Sequence, residues 1–187
     1  MRLILAAVIG AVILFAWSFV SWQLLGLHDT SGGTLPNEAA VTEALSEVSD
    51  SGTYWIPGIS REDTKDAEKL DGWKERHRAG PIGFIVYHRD GREPMPPAVF
   101  AVGFGINFAA ALLAAFLLAA AGIRSALGRL LFVASLGLFV SITSELVAWN
   151  WMFFHVDWIT ANIIDHLVGW GLTGVAMAAI VKPRAAG

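Results

Sequence analysis

Four long apolar runs constrain this chain more than any other feature. They cover residues 3–25, 98–122, 130–151 and 158–181. Each is long enough to cross ~30 Å of hydrocarbon at ~1.5 Å per residue. A backbone in hydrocarbon must satisfy its own hydrogen bonds, so each run is predicted to be a helix. The composition agrees, with 55% hydrophobic and only 16% charged residues, where soluble domains carry roughly a quarter charged.

The fold expected is therefore membrane all-α: four transmembrane helices with a small extracytoplasmic α+β domain between helices 1 and 2. Residues 1–25 read as the first transmembrane helix, 26–97 as the extracytoplasmic domain, and 98–187 as a three-helix transmembrane region with a short cytoplasmic tail. The first run reads as an uncleaved signal anchor. Its apolar core is long, and "FAWSFVSWQLL" offers no small-residue cleavage site.

Orientation follows from the basic residues. The N-terminus, the linker between the second and third runs, and the tail carry Arg2, Arg124, Arg129, Lys182 and Arg184 and no acid. With an even number of spans these segments share one face. The positive-inside rule assigns that face to the cytoplasm, with both termini there. The long segment 26–97 carries both signs, which suits translocation. Trp17, Trp22, Trp149, Trp151 and Trp158 fall toward the opposite face, where indoles favour the headgroup level. Together these features point to a multi-pass protein of a bacterial inner membrane.

Segment 26–97 has its own order. "NEAAVTEALSEVSDSG" places Val41, Leu45 and Val48 at helical spacing, with Asn37 as a candidate N-cap. "TYWI", closed by Pro57-Gly58, reads as a short strand. "SREDTKDAEKLDGWKERHRAGP" reads as one soluble helix, with Ser60 and Asp63 resembling a capping box and Ala67, Leu70, Trp73 and His77 on one face. "IGFIVYH" is a second strand. Two helices and two strands make a thin core, so the domain is expected to lean on the membrane helices, on lipid or on another protein. Tyr54, Trp55, Trp73, Phe84 and Tyr87 are expected to form that core, with an interaction patch as the alternative. His28, His77 and His88 read as surface or edge histidines, because none has metal-ligand spacing.

Within the spans, ionisable residues are the exception. At roughly 100° per residue, Asn162, Asp165, His166, Gly169 and Thr173 share a face of the fourth helix. Ile164, Leu167, Val168, Gly171, Val175 and Ala178 form the opposite one. Glu145 shares a face of the third helix with Ala134, Leu138, Ser141, Ala148 and Trp149. Glu145 and Asp165 both lie ~9–11 Å below the same interface, so Glu145, Asp165 and His166 are expected to meet. Asn107 of the second span completes the cluster from below. A charge in hydrocarbon costs about 2.5–3.5 kcal/mol, so these residues are expected to face protein, as a hydrogen-bonded lock between helices, as a proton, ion or ligand site, or as a contact with a separate membrane subunit.

Several chemistries are excluded or unsupported. Without cysteine there are no thiolate ligands, thiol nucleophiles, disulfides or thioether-linked haem. No nucleotide loop, metal motif or nucleic-acid footprint is present, and no cofactor is specified. Two classes remain open. One is a non-catalytic accessory, assembly or sensing component in membrane lipid, whose extracytoplasmic domain contacts a membrane or periplasmic protein. The other is a small membrane enzyme, or a proton or ion translocator, using Glu145, Asp165 and His166 with Asn162 and Asn107.

Overall fold

The computed structural model describes residues 1–182. Arg184 lies outside the described residues. Four helices are long and apolar enough to cross a membrane: Arg2–Leu24, Pro97–Ala121, Ala126–Met152 and Val156–Ile180. The chain is thus a mostly helical, multi-pass membrane protein with a small two-stranded sheet. It divides into two compact units, one of Met1–Gly33 with Met95–Gly187, the other of Thr34–Pro94.

In the first unit, the fourth helix packs against both the third and the first, and the first also packs on the second. Small residues make this closeness possible. Ala6, Ala7, Gly10 and Ala11 of the first helix are buried, as are Ala111, Ala114 and Ala115 of the second. Lipid is as apolar as leucine, so membrane helices associate through close packing at such residues rather than by escape from water. A Cβ on Gly174 would stand 2.9 Å from the Leu130 carbonyl oxygen, and one on Gly137 would run into the carbonyl oxygen of His166. The third and fourth helices therefore meet backbone to backbone. Leu118, Val133 and Met177 fill the largest spaces of the core.

Helix ends follow caps rather than hydropathy. The third helix starts at Ala126, ahead of the apolar run, because the Ser125 hydroxyl accepts a hydrogen bond from the Gly128 N–H. Gly122, at φ 63°, ends the second helix in the left-handed region that glycine tolerates best. Arg129 donates to the carbonyl of Ala178, supplying a partner in the last turn of the fourth helix, and to that of Arg124 in the linker.

Two helices contain a π turn, at Val20–Leu24 in the first and Ser141–Glu145 in the third. In the third helix the buried positions are Val133, Gly137, Ser141 and Glu145. A strict spacing of four drifts by ~40° per step around a regular α-helix, and the wider π turn absorbs the drift. This corrects the face expected for Glu145. Leu138 and Trp149, placed beside it under regular geometry, are half exposed.

The second unit begins with the helix Glu38–Ser46, followed by strand β1 (Gly52–Ile56), the helix Ala67–Ala79 and strand β2 (Gly83–Tyr87). The strands pair antiparallel, Gly52 opposite Tyr87 and Trp55 opposite Phe84. The single helix expected from Ser60 onward is instead a 3-10 turn, Asp63–Lys65, and a separate helix. Asp66 is the reason. Its extended backbone interrupts the run, and its carboxylate accepts from the Glu68 and Lys69 N–H groups as an N-cap. The Ser60 and Asp63 exchange does form, but it caps the short turn. The Trp73 indole donates to the Pro57 carbonyl at 3.0 Å, tying the helix to the end of β1.

None of the described residues of this unit is buried. Trp73, Phe84 and Tyr87 are partly covered, while Tyr54 and Trp55 are exposed. The aromatic residues therefore do not make the core expected of them. Two strands and two short helices offer too little apolar surface to one another to exclude water.

Candidate functional site

Asp165 and His166 are neighbours on the fourth helix, and a step of roughly 100° turns them toward different partners. His166 Nε2 lies 3.2 Å from Glu145 Oε1 on the third helix. Asp165 Oδ2 lies 2.8 Å from His28 Nε2, in the segment that follows the first helix. The expected single cluster is thus two histidine–carboxylate pairs. Each carboxylate has its own histidine, so the two acids do not share one partner. In each pair one proton on the N···O axis satisfies both groups, as an imidazole N–H donating to a carboxylate oxygen.

The Glu145–His166 pair depends on the third helix's π turn, which ends at Glu145 and keeps that residue on the buried stripe. Ser141, one step earlier on the stripe, donates to the Gly137 carbonyl at 2.8 Å. The Gly137 contact then sets how near the fourth helix comes. Glu145 is 8% exposed, and its partner's side chain is 28% exposed.

The Asp165–His28 pair is drier. The His28 side chain is only 2% exposed and that of Asp165 16%. The π turn of the first helix and the bends after it return the chain over the helix end. The Leu27 N–H donates to the Ser21 carbonyl at 3.3 Å, and this reversal carries His28 inward. Trp22 stacks on the imidazole with ring centroids 3.7 Å apart and planes 7° from parallel. His28 is therefore neither a surface nor an edge histidine. Sequence reasoning missed it because its partner is 137 residues away. The one available signal was its position just beyond an apolar span, beside a tryptophan.

The remaining candidates behave differently. The Asn162 side chain donates to the Trp158 carbonyl at 2.8 Å, one turn earlier on its own helix. It joins neither pair. Asn107 is half-buried on the second helix and forms no side-chain hydrogen bond with either pair among the described residues. Gly169 and Thr173 are buried, as their face of the fourth helix requires, whereas Ala178, expected on the opposite face, is also buried. Leu167 and Val175, on that opposite face, are exposed.

Six buried side-chain polar atoms have no hydrogen-bond partner among the described residues. They are Trp17 Nε1, Ser21 Oγ, His28 Nδ1, Ser31 Oγ, Asp165 Oδ1 and Thr173 Oγ1. Among the described residues, no group of three or more histidine or acidic side chains is placed to hold a metal ion. Comparison with protein-family models, with curated proteins and with solved structures finds no match to this chain.

Proposed function

We propose that this multi-pass protein is a non-catalytic accessory, assembly or sensing component of a bacterial inner membrane. In this reading both termini are cytoplasmic, and the unit Thr34–Pro94 lies outside the cytoplasm, where a membrane or periplasmic protein completes it.

One observation carries the reading. The unit has no buried residue of its own, yet it presents Leu35, Tyr54, Trp55, Ile56, Ile82 and Val86 to the surroundings. Thr53, Trp55, Phe84 and Val86 occupy one face of the ribbon, since directly opposed residues share a side. A two-stranded ribbon is marginal in water unless something packs on it. Exposed aromatic and β-branched residues on such a ribbon are the composition of an interface core.

The orientation rests on Arg2, Arg124, Arg129 and Lys182, which flank the same ends of the four helices without a neighbouring acid. The two histidine–carboxylate pairs fit a supporting role, because Glu145 is already bonded across the contact of the third and fourth helices and Asp165 to the segment that follows the first. A photo-crosslinking amino acid at Trp55 or Val86 tests the reading in native membranes. The expected result is one discrete protein adduct from both positions and none from Glu75. Adducts with lipid alone would overturn it.

A further inference from the structure

We propose that the seam between the first and fourth membrane helices is a hydrated, one-ended site that brings water, and with it an exchangeable proton, to the Asp165–His28 pair.

The seam is built from facing stripes. On the fourth helix Asp165, Gly169 and Thr173 follow one another at successive turns. On the first helix Trp17 and Ser21 do the same. Contacts register the stripes against each other. A Cβ on Gly169 would meet Trp17 Cδ1 at 3.2 Å, so the indole lies on that glycine. One turn away, Asp165 holds His28. Ser21 is fully buried, and its carbonyl anchors the reversal that delivers His28. On the residues of these stripes and of this pair, Trp17 Nε1, Ser21 Oγ, His28 Nδ1, Asp165 Oδ1 and Thr173 Oγ1 are buried without a partner among the described residues.

The donor and acceptor inventory selects the ligand. The Trp17 indole can only donate, and the Asp165 carboxylate oxygen accepts. With the His28 Nε2 proton directed at Asp165, His28 Nδ1 also accepts. Ser21 and Thr173 do both. A cation would face the indole N–H, and an anion would face Asp165. Water alternates donation and acceptance and suits the whole set. Polar atoms left bare at membrane depth are costly, which favours water entering from the His28 end.

The other end is closed. A Cβ on Gly10 would meet Met177 Cε at 2.9 Å, Ala111 Cβ at 3.0 Å and Thr173 Cγ2 at 3.2 Å. Met177 and Ala111 are fully buried. Beyond Thr173 the helices are packed with apolar atoms, so the seam communicates with one membrane face and is not a conduit.

The other ionisable groups around the pair are few. Asp29 follows His28 in the chain, and Glu145 with His166 occupies the third-helix side. Over Pro97–Ala121 the second helix has none, and the first has only Arg2 at its far end. The inference is independent of any partner for Thr34–Pro94.

The test uses the full chain, labelled with nitrogen-15, in lipid nanodiscs and in sealed vesicles. The Trp17 indole N–H is expected to exchange with deuterated solvent at least ~100-fold faster than the backbone amides of residues 111–118. Ser21→Val, which replaces the hydroxyl with a methyl group and adds a second methyl on Cβ, is expected to slow that exchange about tenfold or more. The His28 ring nitrogens are expected to respond to a change of bath pH at one vesicle face and not at the other. Trp17 exchange as slow as that of residues 111–118 would overturn the hydrated seam. Ring nitrogens indifferent to either bath would overturn the proton site, and a response to both baths would overturn the closed end. The wild-type measurements decide the matter if Ser21→Val does not fold.

Discussion

If Asp165 and Glu145 each own a histidine, the two pairs should be energetically separate. Consider His28→Ala, Asp165→Ala, Glu145→Ala and His166→Ala, with the double variants. Leaving a buried hydrogen-bonding group without its partner typically costs ~1–3 kcal/mol, and more when the group is charged. The Asp165 side chain retains some exposure, so the loss for His28→Ala should be about 2 kcal/mol. The coupling is smaller than the single losses. Side-chain hydrogen bonds between membrane helices average ~0.6 kcal/mol and reach ~1.7. The His28–Asp165 pair is the shorter and drier, at 2.8 Å against 3.2 Å. It should couple by ~1.5 kcal/mol, and Glu145–His166 by ~1 kcal/mol. Cross-pairs such as His28 with Glu145 should couple by less than ~0.5 kcal/mol. Reversible unfolding in bicelles titrated with a denaturing detergent reads all of these values. Coupling between Asp165 and Glu145 as large as within the pairs would refute the two-pair arrangement and restore a single cluster.

Gly137→Ala should separate the third and fourth helices, because the new methyl group meets a backbone oxygen that cannot rotate away. A loss of ~1–3 kcal/mol is expected in the same unfolding assay, whereas Gly105→Ala, with open space around it, should be close to neutral. In the second unit, the Lys69 ammonium and then the Ser60 hydroxyl hold the Asp63 carboxyl below the ordinary carboxylate range. A lowered folded-state value means that this contribution is complete above the unfolded value and disappears as pH falls through the folded one. A carbon-13 titration of Asp63 should therefore show a low midpoint that rises in Lys69→Met, and an unchanged midpoint would contradict the assignment.

Apolar run length located the four helices, because hydrocarbon leaves the backbone no alternative to internal hydrogen bonding. The strand pair was equally visible in "TYWI" and "IGFIVYH". Local departures from regularity hid the rest. A π turn at Ser141–Glu145 keeps Glu145 buried four residues beyond Ser141, where a 100° wheel places Leu138 and Trp149 on its face. A second π turn, at Val20–Leu24, precedes the reversal that carries His28 to Asp165. No periodicity in the sequence announces either turn. Asp66 is a good cap by type, but the Ser60–Asp63 pair ahead of it resembles a capping box and draws the expected helix start to Ser60. The division of Asp165 and His166 between two partners follows from a simple rotation that can be read from sequence. It needed the positions of both neighbouring helices to have consequences.

In the proposed function Thr34–Pro94 is completed by another protein. Hydrogen exchange of this unit, read by mass spectrometry, tests it most directly. The amides of β1 and β2 should exchange freely in the purified protein and be protected at least ~100-fold in native membranes gently solubilised with partners retained. Equal exchange in both preparations would contradict the account. So would strong protection in the purified protein alone, since the unit would then be complete without a partner.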